Sequence, residues 1–149
     1  MPMIGEISTP HHIEVTRDAS VSEVARLMRT YEIGDVLVTS EDTGSAVGIV
    51  TDRDVAVRVV GELLDPATTK AGDICTSDVV TIDATEEIQS AAKLMEEHSL
   101  RRLPLVDSSG KPVGIISIDD LAMSGYVDDE EIRDLLRAAA SEERRKVSG

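Results

Sequence analysis

Two short phrases carry the residues best suited to chemistry. GIVTDRD spans 48–54 and GIISIDD spans 114–120. Each opens on a glycine, places a hydroxyl three residues later (Thr51, Ser117) and a carboxylate three beyond that (Asp54, Asp120). A hydroxyl one turn before a carboxylate, at the start of a helix, either caps that helix or contacts a phosphate. Two adjacent arginines, Arg101 and Arg102, precede a Leu-Pro strand. Nothing else assembles into catalytic machinery. There is no glycine-rich phosphate loop with its lysine, no HExxH and no CxxC, and nothing orders Ser, His and Asp as a triad. Neighbouring His11 and His12 would point to opposite sides of an extended segment, so no metal is expected. The single cysteine, Cys75, reads as a small buried residue.

The phrase is written twice because the unit around it is. Gly5 meets Gly72, Ile7 meets Ile74 and Thr9 meets Thr76 at an offset of 67, which holds through Met28 and Met95 to Ile33 and Leu100. After the next strand the offset is 66, so that Gly48, Thr51 and Asp54 meet Gly114, Ser117 and Asp120. The lost residue falls in a turn, where a length change is tolerated.

Each unit reads as βαββα. In the first, 13–15 is a strand. Ser20 begins a helix with Glu23 in capping-box position, and Val21, Val24, Ala25 and Met28 form its apolar face. A hairpin joins 35–40 to 46–50, and a second helix follows from Asp52. In the second, 79–82 is the strand, Ile88, Ala91, Ala92 and Met95 make the helix stripe, 102–107 and 112–117 form the hairpin, and a helix follows from Asp119. The expected organisation is repeat 1 over 4–60, a linker over 61–70, repeat 2 over 71–124 and a C-terminal helix over 128–146, an α/β (α+β) fold. That last helix opens on acidic residues and closes on RRK, in keeping with its dipole. Its stripe of Ile132, Leu135, Leu136 and Ala139 packs either on its own domain or across a dimer interface.

Composition narrows the partners. Of 149 residues 41% are apolar and only 1% aromatic, so the core is aliphatic and no aromatic platform exists for stacking nucleic-acid bases. A net charge of −14 repels nucleic acid and anionic membranes. No apolar run approaches the ~20 residues that cross a bilayer, and one cysteine excludes an intrachain disulfide; the expectation is a soluble, cytoplasmic protein.

GIVTDRD and GIISIDDL, the second preceded by LMEEHSL and RRLPLVD, resemble the CBS-domain signature, and two in tandem resemble a CBS pair, or Bateman module. The resemblance runs from about Ile4 to about Met123, and TDRDVAVRVVGELLDP with TTKAGDI is similar to small stand-alone CBS proteins of the hypoxic-response type. It implies two βαββα repeats about a pseudo-twofold axis, commonly assembled as homodimers. It implies adenosine nucleotides in clefts that mix the aspartate of one repeat with the first strand and hairpin of the other. An aspartate there accepts hydrogen bonds from both ribose hydroxyls, as one carboxylate can. One cleft would combine Thr51, Asp54, Thr76, Val80, Arg101 and Arg102. The other would combine Thr9, Ile13, Gly34, Asp35, Ser117 and Asp120; glycine and aspartate there replace the arginines, which makes it the weaker site for phosphate. The implied ligand is AMP, ADP or ATP, with NAD and S-adenosylmethionine as wider candidates, and the output passes to a partner protein. The alternative is an interaction dimer that has lost its ligand. An enzyme is not expected.

Overall fold

The computed structural model describes residues 2–8, 12–77 and 79–148, with side chains described as far as Ser141. Its contacts divide the chain into two compact units. The first unit is His12–Val79 with Ser109–Lys111. The second gathers the N-terminal stretch, Val80–Ser108 and the chain from Pro112 onward.

The first unit contains β1 (Glu14–Thr16), α1 (Val21–Tyr31), β2 (Asp35–Thr39), β3 (Ala46–Thr51), α2 (Asp52–Asp54) and α3 (Ala71–Ile74). β2 is the middle strand, parallel to β1 and antiparallel to β3. Its run DVLVT is therefore covered on both faces, and Val36, Leu37 and Val38 are buried. The Ser20 hydroxyl accepts the Glu23 N–H at 3.1 Å and starts α1. Of the expected stripe, Val21 and Val24 are fully buried and Met28 packs against the same core. The helix expected from Asp52 tightens and then widens: α2 passes directly into a π-helical run, Val55–Val60. α3 lies at the start of the second repeat, directly after the linker expected over 61–70.

The second unit contains β4 (Ile82–Asp83), α4 (Ile88–His98), β5 (Arg102–Val106), β6 (Pro112–Ser117), α5 (Ile118–Ser124) and α6 (Asp129–Ser148). Its sheet repeats the order and senses of the first, β4-β5-β6. Ile88, Ala91, Ala92 and Met95 are all buried, as their spacing predicts. The strand expected over 79–82 shrinks to two residues, and that over 13–15 moves one residue on. Asp128 accepts the Glu131 N–H at 2.8 Å and opens α6. Leu135 and Ala139 are buried and Ile132 packs with them in the core of this unit, so the stripe packs on its own unit; Leu136 is left exposed.

The duplication is visible bond by bond. Ile4 N–H donates to Glu86 C=O as Ala71 N–H does to Ala19 C=O, and Gly5 N–H to Ala84 C=O as Gly72 N–H does to Arg17 C=O. Met3 bridges Glu87 as Lys70 bridges Ser20. The leading turn of the first repeat (Ile4–Glu6, a 3-10 turn) thus belongs to the second unit, and that of the second repeat (α3) to the first unit. The matching helices α1 and α4 each end on a non-glycine residue in the left-handed region, Glu32 at φ 53° and Ser99 at φ 57°.

Candidate functional site

The two phrases form the same local device. Asp54 N–H donates to Thr51 Oγ1 at 3.1 Å, and Thr51 N–H donates back to Asp54 Oδ2 at 2.9 Å. Asp120 N–H donates to Ser117 Oγ at 3.1 Å, and Ser117 N–H to Asp120 Oδ2 at 2.8 Å. Both are complete capping boxes at the strand-to-helix junction. The hydroxyls act as helix caps, and each carboxylate is fixed by one oxygen while its Oδ1 retains acceptor capacity.

Around Asp54 the first unit adds further contacts. Asp54 is sheltered, its side chain 14% exposed, and Oδ1 lies 3.8 Å from Arg58 Nε. Thr76 N–H donates to Ile49 C=O at 3.0 Å, holding Thr76 beside β3 two residues before Thr51. Gly48 makes that approach feasible: a Cβ there would lie 2.6 Å from Cys75 Sγ and 2.7 Å from the Thr76 carbonyl oxygen. Cys75 is buried, and burial pushes its thiol up against the opposing pull of Arg17. Asp35 is the cross-strand partner of Thr51, and the Gly34 C=O accepts the Asp52 N–H at 3.0 Å.

In the second unit Arg102 is the cross-strand partner of Ser117, and the Arg101 C=O accepts the Ile118 N–H at 3.0 Å. Arg101 is exposed and Arg102 half-buried, and Val80 packs against the core of this unit. The residues expected to share the better site divide accordingly: Thr51, Asp54 and Thr76 fall together in the first unit, and Val80, Arg101 and Arg102 in the second. Of the other set, Ile13 and Asp35 fall in the first unit and Ser117 and Asp120 in the second. Thr9 lies outside the described residues.

A groove of about 570 Å³ runs along β1 and α1, past Ile13, Glu23, Leu27 and Tyr31. It includes neither Asp54 nor Thr51. His12 Nε2 lies 2.9 Å from Glu14 Oε2, and His11 lies outside the described residues. Among the described residues no three His, Cys, Asp or Glu side chains cluster as metal ligands, and no helix is long and apolar enough to cross a membrane. Sequence reasoning passed over Arg58; its signal was the i,i+4 spacing from Asp54 within TDRDVAVR.

These features define a tandem CBS pair. The CBS domain model matches residues 4–61 and 71–126, and the chain belongs to that family. It is 34% identical over 118 residues to an uncharacterised protein of Methanopyrus kandleri, covering 79% of this chain and 60% of that one. It is 33% identical to Hypoxic response protein 1 of Mycobacterium tuberculosis, covering 69% of this chain and 71% of that one. By contrast it spans only 26% of a homoserine O-acetyltransferase of Methanocorpusculum labreanum, at 34% identity over 82% of this chain. Among solved structures, Hypoxic Response Protein I with two coordinated zinc ions aligns at TM-score 0.72 and 28% identity, over 85% of this chain and 99% of that one. The cytosolic domain of the Mg2+ channel MgtE in complex with ATP aligns at TM-score 0.70 and 27% identity, over 83% and 48%.

Proposed function

We propose that this CBS pair is a regulatory module that binds an adenosine nucleotide, AMP, ADP or ATP, and passes its occupancy to a partner protein. The observation that carries this reading is the Thr51–Asp54 box, with Asp54 Oδ2 fixed by a backbone N–H and Oδ1, 3.8 Å from Arg58 Nε, keeping lone-pair capacity to accept. A diol such as ribose presents two donors to such a group. The complex of the MgtE cytosolic domain with ATP supports the ligand class. Arg101 and Arg102 are the phosphate-binding candidates that the family resemblance implies; NAD and S-adenosylmethionine share the same adenosine portion. In this reading the module is a cytoplasmic homodimer that regulates a partner and does not itself catalyse a reaction.

A second reading, an interaction dimer without ligand, draws on Gly34 and Asp35 standing where Arg101 and Arg102 stand in the other repeat. Titration calorimetry of the nucleotide-stripped protein with AMP, ADP, ATP, NAD and S-adenosylmethionine separates the two. Saturable heat with at least one ligand is expected. A folded protein that gives no heat with any of them overturns the sensor reading in favour of the second.

A further inference from the structure

We propose that Arg58 is a positioning residue for the Asp54 site, and that its presence in only one repeat makes the two sites unequal. The inference rests on Asp54 as the ribose acceptor. Arg58 follows Asp54 by one turn on the same helical run. Its Nε lies 3.8 Å from Asp54 Oδ1, and its Nη1 donates to the Ile74 carbonyl oxygen at 2.8 Å. The other Asp54 oxygen is held by the Thr51 N–H at 2.9 Å, so each oxygen has its own orienting donor or charge.

Ile74 is the last residue of α3, two before Thr76, which is itself bonded to Ile49 in β3. One guanidinium therefore ties the carboxylate of the box to the segment that carries Thr76. A planar fork with a fixed charge suits that double contact; a lysine supplies the charge but not the second, directed bond. Both groups are partly sheltered, with Arg58 39% and Asp54 14% exposed, which limits screening of the pair. The matching position after Asp120 is Ser124, whose hydroxyl donates to the Leu121 carbonyl inside its own helix at 2.7 Å. Asp120 thus has the box without an arginine one turn on.

A residue that acts through Asp54 affects the ribose end of a ligand and not its phosphates. The test is calorimetry of the wild type, Arg58→Gln and Arg58→Lys with AMP and with ATP, alongside thermal melts. Arg58→Gln should weaken both nucleotides by the same factor, about tenfold, and Arg58→Lys should recover part of the loss for both. If Arg58→Gln does not fold, Arg58→Lys carries the test through an equal, smaller loss for both ligands. Unchanged affinity in the variants overturns the role of Arg58 alone. A loss much larger for ATP than for AMP overturns it in favour of direct phosphate contact. A wild type that binds neither nucleotide, nor NAD or S-adenosylmethionine in the same titration, overturns the ribose reading, and the positioning role with it.

Discussion

Asp54 and Asp120 show how far single residues could be read. Their spacing from Thr51 and Ser117 announced a hydroxyl and a carboxylate at a helix start, and the structure shows each hydroxyl capping the helix that follows. What spacing could not show was the Arg58 contact with Ile74, because that pairing joins residues 16 apart through tertiary structure. Glu131 is another property set by surroundings. Burial, and then the charges of Asp128, Glu96 and Asp134, push its carboxyl above the ordinary range. A raised value means that the folded state holds the proton more tightly than the unfolded state. Stability from this group is therefore full below the ordinary glutamate range and is lost as pH rises through the raised value. Glu131→Gln should accordingly raise the melting temperature at pH 7, by an amount worth under ~1 kcal/mol for so exposed a site. The gain should vanish in melts near pH 4; a variant less stable than the wild type at pH 7 would refute the assignment.

At the scale of elements, the strongly periodic pieces were legible. The stripes of α1 and α4 and both hairpins follow from local pattern, because their buried faces repeat at helix or strand period. The shortest pieces were not. α3 has four residues and β4 two, too few for any period, and both owe their form to bonds from distant segments. The π-helical run after Asp54 was equally hidden, since VAVRVV is apolar nearly throughout and no single face stands out. The leading turn of the first repeat gives the sharpest test. Ile4 is fully buried among Ile88, Ala91 and Leu103, residues of the second repeat. Ile4→Ala should cost about 2–5 kcal/mol and should lower amide-exchange protection across α4. A cost below about 1 kcal/mol, with α4 protection intact, would show that the turn is not part of that core.

The whole molecule is a duplication whose copies keep a common frame but differ in charge at matched positions. Bonds related by the 67-residue offset persist at the leading turns, and the boxes recur at 66. Charge has not been kept: Arg101 and Arg102 answer to Gly34 and Asp35, and Arg58 answers to Ser124. Symmetric folding with asymmetric chemistry predicts one strong nucleotide site per chain, built on Asp54, and a second, on Asp120, that is weak or empty. The fold followed from repeated patterns in the sequence, whereas this imbalance had to be read residue against residue. The most direct measurement is calorimetry of Asp54→Ala and Asp120→Ala side by side, with the ligand that binds the wild type best. Binding lost with Asp54→Ala and kept with Asp120→Ala is the expected result. Binding abolished by Asp120→Ala and untouched by Asp54→Ala would contradict it.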